Sequence, residues 1–221
     1  MQLLKLGQFG LLLPLLAAGA DPAVHPLTGR PIAGVMGAGG AHWLERSERE
    51  SEEQPQLAVR LLQLQPGMRV ADVGAGSGYY TELLSRAVGA SGAVLATDIQ
   101  PAMLRLIDKR VKDKALTNVQ TILASDSDPR LPANSLDLIL LVDVYHEFSQ
   151  PQAMLRRLRA ALKPSGRLVL LEFRKEDPQV PIRPEHKMSV ADVRTELEAE
   201  GLRFHQVLND LPWQHILVFL K

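Results

Sequence analysis

A short apolar run that breaks into three glycines at alternate positions constrains this chain more than any other stretch. Val70 to Val73 reads as a buried strand, Gly74, Gly76 and Gly78 follow, and an amphipathic helix opens at Tyr79. Strand, glycine turn and helix N-terminus in that order make a place where the backbone folds sharply and a ligand lies against main-chain atoms. The helix dipole adds a local positive end. A site for a polar or carboxylated ligand is therefore expected where the first strand ends.

The spacing narrows the ligand. A dinucleotide fingerprint runs Gly-x-Gly-x-x-Gly, but here Tyr79 stands where the third glycine belongs and the series is Gly-x-Gly-x-Gly. The next strand, 93–98, ends at Asp98, twenty residues after Gly78, where a carboxylate can accept both hydroxyls of a ribose. That acid implies a nucleoside and suits an NAD ribose equally well. With Asp72 two residues before the first glycine, Val70-Ala-Asp-Val-Gly-Ala-Gly-Ser-Gly78 resembles the first motif of the class I S-adenosylmethionine (SAM)-dependent methyltransferases. By order of motifs the resemblance runs from about residue 55 to 221. The stretches Asp143-Val-Tyr-His-Glu-Phe148 and Pro184-Glu-His-Lys-Met188 resemble bacterial small-molecule methyltransferases of the ubiquinone-biosynthesis type.

This resemblance implies an α/β, Rossmann-like, seven-stranded sheet of order 3-2-1-4-5-7-6, with strand 7 antiparallel and helices on both faces. The closing pair of strands, 203–208 and 215–220, agrees with it, whereas a plain dinucleotide fold lacks that hairpin. The implied cofactor is SAM, on Asp72, Gly74, Ala75, Gly76, Ser77, Gly78, Tyr79, Asp98, Ile99 and Asp143. The glycines would let the backbone hold the methionine part, and Asp98 would bind the ribose. After the third strand the family usually reads Gly-Asp-Ala; here the acid stands one place later, so Asp126 is assigned to the adenine, with Ser125 as the alternative.

Methyl transfer from a sulfonium is an in-line displacement that needs alignment, exclusion of water, and a base only where the acceptor is protonated. His146, after the fourth strand, is the candidate base, with Asp143 beside it. Trp43, Arg46, Tyr145, Arg174 and His186 are candidates for binding a small-molecule acceptor. Asp143, His146, Glu147 and Glu172 would make an oxygen-rich metal set, but Phe173-Arg174 replaces the paired acid and amide expected after the fifth strand, so no metal is expected. Two other readings stay open: an NAD(P)-dependent oxidoreductase, and a non-catalytic SAM-binding protein of the cell envelope.

Length and charge set the remaining bounds. The chain has 221 residues, room for one α/β domain with an N-terminal extension. Lysine plus arginine equals aspartate plus glutamate at 25 each, so no global basic field draws in nucleic acid, and none is expected as a partner. The absence of cysteine excludes disulfides and thiolate metal sites. Residues 1–20 read as a signal peptide or membrane tether: Lys5 precedes an apolar stretch, and Ala18-Gly19-Ala20 fits a cleavage site. The leader implies an exported, periplasmic or membrane-tethered protein, while SAM, made in the cytoplasm, implies the opposite side. Residues 21–54 read as an arm and lid, with 21–40 extended and coreless. Ser47-Glu-Arg-Glu50 reads as a capping box, and 48–53 as a solvated charged helix. Residues 55–221 form the expected methyltransferase domain.

Overall fold

The computed structural model describes residues 23–221. At its centre β1 (Arg69–Val73) lies between β2 (Ala93–Asp98) and β4 (Leu136–Val142), parallel to both. Outside these lie β3 (Val119–Leu123) against β2 and β5 (Leu162–Arg174) against β4, also parallel. A two-residue β6 (Lys187–Met188) pairs with the end of β5. β7 (Arg203–Leu208) forms the edge, and β8 (Gln214–Leu220) runs antiparallel between it and β5. The path is β3-β2-β1-β4-β5-β8-β7, the expected order once β6 is counted. Two residues carry no alternation, so β6 reads as loop in the sequence.

Each strand feeds two cores. In β4, Leu138 and Leu140 face one side of the sheet while Ile139 and Leu141 face the other, all fully buried, as a central parallel strand requires. The first side is covered by α2 (Pro55–Leu61) and α3 (Tyr79–Val88) through Ala58, Tyr80, Leu84 and Val88. The second is covered by α5 (Pro151–Ala161) and α6 (Val190–Ala199) through Leu155, Leu158, Val193 and Leu197. α4 (Pro101–Asp113) buries Met103 and Ile107. Because successive connections pass to opposite faces around β1, the crevice beyond its carboxyl end lies at the switch point where α/β sheets take ligands.

The N-terminal segment departs from expectation. The stretch 23–33, expected as an extended arm without a core of its own, is docked on the domain: Arg30 donates to Glu196 of α6 at 2.9 and 3.0 Å, with both side chains buried, and sits over the Tyr145 ring. Thr28 and Tyr145 donate to the same carboxylate. Ser47 caps nothing; it donates to the Glu48 carboxylate, and α1 (Arg49–Glu52) starts without a side-chain cap. Within the run read as solvated, Arg49 is 4 % exposed and Glu53 0 %, paired at 2.7 Å. Among the described residues no helix is long and apolar enough to cross a membrane. The leader assigned to 1–20 lies outside the described residues.

Candidate active site

The carboxyl ends of β1, β2, β4 and β5 open into one cavity of about 500 Å³. Gly74 and Gly76 form its floor at φ +70° and +54°. A Cβ on Gly74 would lie 2.3 Å from Val144 Cγ2, and one on Gly76 2.7 Å from Leu44 Cδ1, so backbone conformation and space both demand glycine. The amides of this turn are already engaged. Gly74 and Ala75 donate to the Thr97 carbonyl at 2.9 and 3.0 Å, Gly76 to Asp98 Oδ2 at 3.0 Å, and Gly78 to the Ala75 carbonyl at 2.9 Å. What the turn offers a ligand is therefore close approach, not a bank of unused donors.

Asp98 ends β2 on the cavity wall, 6 % exposed, with Oδ1 accepting from the Gln100 amide at 2.8 Å. Burial raises its pKa, and the backbone bonds from Gln100 and Gly76 oppose that rise. Ile99, Met103 and Asp126 line the same end. Ser125 does not; its amide is tied to the Asp128 carbonyl at 2.9 Å. Ala75, Ser77 and Tyr79, with Asp72, border a separate recess of about 30 Å³ behind the turn. Gly78 borders neither and starts α3 at φ +81°, pressed on Ile107.

Around that recess charge is buried. Asp72 accepts from the Thr81 hydroxyl at 2.6 Å, and burial holds its pKa up at about 6. Asp143, at φ +51°, accepts from Gln214 at 2.7 Å; its Oδ1 is buried without a hydrogen-bond partner among the described residues. Burial, then the charges of Glu53 and Glu172, push the Asp143 carboxyl well up. Arg49 joins the two regions. It bonds Glu53 and the Leu44 carbonyl, lies over the rings of Tyr79 and Tyr80, and reaches the cavity wall. Sequence reasoning missed it, since an Arg–Glu pair at i,i+4 in a charged run looks like any solvated helix face.

The far end of the cavity is built on the turn after β4, residues Tyr145–Glu147. His146 is 2 % exposed, its Nδ1 2.7 Å from Glu172 Oε2 and its Nε2 3.1 Å from His186 Nδ1. Glu172 also accepts the Tyr145 amide at 3.0 Å, and the docked arm bonds the His146 carbonyl through the Ala33 amide at 3.0 Å. Burial, then the neighbouring His146, lower the His186 pKa. Burial pushes Glu147 up to about 7. Gly34, Val35, Met36 and Trp43 of the N-terminal segment roof the cavity.

Three residues expected to meet the acceptor stand off the wall. Arg46 stacks on the Trp43 ring and pairs with Glu52 and Glu53. Tyr145 is fully buried, its hydroxyl donating to Glu196 at 2.7 Å. Arg174 donates to the carbonyls of Leu211, Pro212 and Gln214, bracing the turn before β8. Trp43, Asp143, His146 and His186 do line the cavity together.

Residues 70–166 match a methyltransferase-domain family, Methyltransf_25. The ubiquinone/menaquinone biosynthesis C-methyltransferase UbiE of Shewanella sp. (strain W3-18-1) is 33% identical over 116 residues, 52% of this chain and 46% of that protein. UbiE of Ectopseudomonas mendocina is 32% identical over 120 residues, 54% of this chain and 47% of the relative. The chain thus spans about half the length of the curated relatives it matches. A SAM-dependent methyltransferase from Aquifex aeolicus superposes with a TM-score of 0.79 at 28% identity, covering 84% of this chain and 99% of that one. An arsenic(III) SAM methyltransferase from Chlamydomonas reinhardtii, at 19% identity and TM-score 0.56 over 70% of this chain and 64% of that one, shares the fold alone.

Proposed function

Since the chain belongs to the class I SAM-dependent methyltransferases, we propose that it methylates a small, largely apolar acceptor bound between the glycine turn and the His146–His186 pair. The cavity of about 500 Å³ carries this reading: it joins the end at Asp98 to an imidazole end 2 % exposed, under one roof. The residues fit the cofactor. Gly74 and Gly76 present bare backbone to the cavity, and the Asp98 carboxylate keeps lone pairs beyond its bonds to the Gly76 and Gln100 amides. Asp98 would take the ribose hydroxyls, Asp126 the adenine amino group, and Ile99 and Met103 the adenine faces. Arg49 and Asp143, at the glycine-turn end, would hold the charged methionine groups.

SAM, when bound, supplies an activated methyl whose leaving group is already attached. The chain's own work is to align the acceptor and keep water out. Apolar side chains of Val35, Met36, Phe148, Phe173 and Ile182 surround the acceptor's place. With Glu172 on Nδ1 and His186 Nδ1 3.1 Å from Nε2, His146 Nε2 would take the proton of a hydroxyl or thiol acceptor that displaces the His186 ring from it. The relatives named as ubiquinone/menaquinone biosynthesis C-methyltransferases support a small-molecule acceptor.

Calorimetric titration of the full chain with SAM, S-adenosylhomocysteine and NADH tests the cofactor. Binding of both sulfur nucleosides and not NADH is expected; NADH binding alone overturns the reading in favour of an oxidoreductase. Methyl transfer to a panel of quinols, phenols and thiols should then fall about 100-fold or more in His146→Ala. SAM binding with no turnover anywhere on the panel would favour the non-catalytic envelope protein.

A further inference from the structure

We propose that His146, Glu147 and His186 bind a divalent cation of the zinc class, with open coordination positions facing the cavity. One ligand atom from each of the three lies within 4.8 Å of the others. The two ring nitrogens, His146 Nε2 and His186 Nδ1, are 3.1 Å apart. Two ligands about 2.1 Å from one ion subtend that separation at roughly 95°, within the range of a zinc or cobalt site. Two imidazoles and one carboxylate suit zinc, iron(II) or cobalt(II), and not the all-oxygen shells of calcium or magnesium.

The surroundings are those of a metal ligand. A ligating histidine usually bonds a carboxylate through its other nitrogen, which sets tautomer and ring orientation. His146 does so: Nδ1 is 2.7 Å from Glu172, itself fully buried and held by the Tyr145 amide. The ligand-bearing segments are also braced. The turn Tyr145–Glu147 is bonded by the arm at the His146 carbonyl, and Pro184–His186 leads directly into β6 on the edge of β5. All three residues line the cavity, so three protein ligands leave the remaining positions to a molecule inside it. The sequence argument against a metal concerned Phe173 and Arg174 after β5, whereas this set draws its third ligand from His186, twelve residues beyond Arg174.

The ion's place stands on this geometry alone; what it does for an acceptor rests on the methyl-transfer reading. An ion on Nε2 occupies the lone pair that would take the acceptor's proton, so base and metal are alternatives at that atom. In the metal form an oxygen- or sulfur-bearing acceptor would bind the ion, whose charge would lower the acceptor's pKa so that its proton is released to solvent water as it binds.

The test uses the full chain, stripped with a chelator and titrated with Co²⁺, followed by visible absorption and by equilibrium dialysis with metal analysis. One Co²⁺ per chain is expected, displaced by Zn²⁺, with affinity reduced by roughly tenfold or more in His186→Ala, in Glu147→Gln and in Glu172→Gln. Unchanged circular dichroism in the variants shows that the fold persists. No stoichiometric uptake, or uptake indifferent to His186→Ala and Glu147→Gln as binding at exposed His42 or His205 would be, overturns the site. SAM titration of the unsubstituted chain runs alongside: Co²⁺ uptake without SAM binding leaves the metal site standing and removes the methyl-transfer reading, and the converse result does the reverse.

Discussion

Asp72 holds its carboxyl at about 6 against an ordinary value of 3.8, because burial costs the charged form more than the Thr81 hydroxyl and Arg49 restore. Between those two values the folded chain binds more protons than the unfolded one, so stability falls as pH rises through the window and is recovered on acidification. The span corresponds to about 3 kcal/mol at most. Asp72→Asn, which cannot ionise, should flatten the pH dependence of the urea midpoint between pH 4 and 7; an unaltered slope would remove Asp72 as its source. Asp98 is proposed to act on ligand instead. Asp98→Ala should weaken SAM binding by about 1.5–3 kcal/mol for each charge-assisted bond lost, read by calorimetry. Unchanged affinity would take the ribose away from Asp98. Asp98 was legible as a residue because strand, terminal acid and distance from the glycines are all linear features. The buried partners of Asp72 were not, since nothing in a linear pattern records that Arg49 lies over the rings of Tyr79 and Tyr80.

At the scale of elements, α6 and the N-terminal arm act as one piece. Glu196 collects Arg30, Thr28 and Tyr145, and the arm so held passes over the cavity and bonds the turn that carries His146. Removing one member of a buried ion pair leaves the other charge uncompensated, at about 3–5 kcal/mol. Glu196→Gln should therefore lower the denaturant midpoint and speed limited proteolysis within residues 23–48. Proteolysis no faster than in the parent would mean that the arm is held elsewhere. The helices and strands themselves read well from the sequence: β2 spans Ala93–Asp98 and α3 opens at Tyr79, where the sequence places them. The docked arm did not, because its Pro- and Gly-rich composition describes how a segment bends and says nothing of where Arg30 finds its carboxylate, 166 residues away.

At the scale of the molecule, a ligand that binds only the folded state stabilises it by mass action, about 2.7 kcal/mol at a hundred times its Kd. For a domain of this size that raises the melting temperature by roughly 5–10 °C. SAM and S-adenosylhomocysteine should each produce the shift and NADH none; equal shifts with all three would break the link between glycine spacing and cofactor. The features that selected the fold are local ones: three alternate glycines after a buried strand, an acid ending the next strand, a central strand apolar on both faces, and a closing hairpin. Each is set by backbone sterics or side-chain periodicity within a few residues, so the sequence alone determined where the strands and the glycine turn lie, and through the family resemblance those motifs carry it implied the sheet order and the end of the sheet expected to take a ligand. Only the tertiary structure decided which charges lie out of water, that Arg46, Tyr145 and Arg174 brace the cavity from behind its wall, and that His146, Glu147 and His186 converge. Those outcomes depend on desolvation and on distances across the fold, which chain order does not encode position by position.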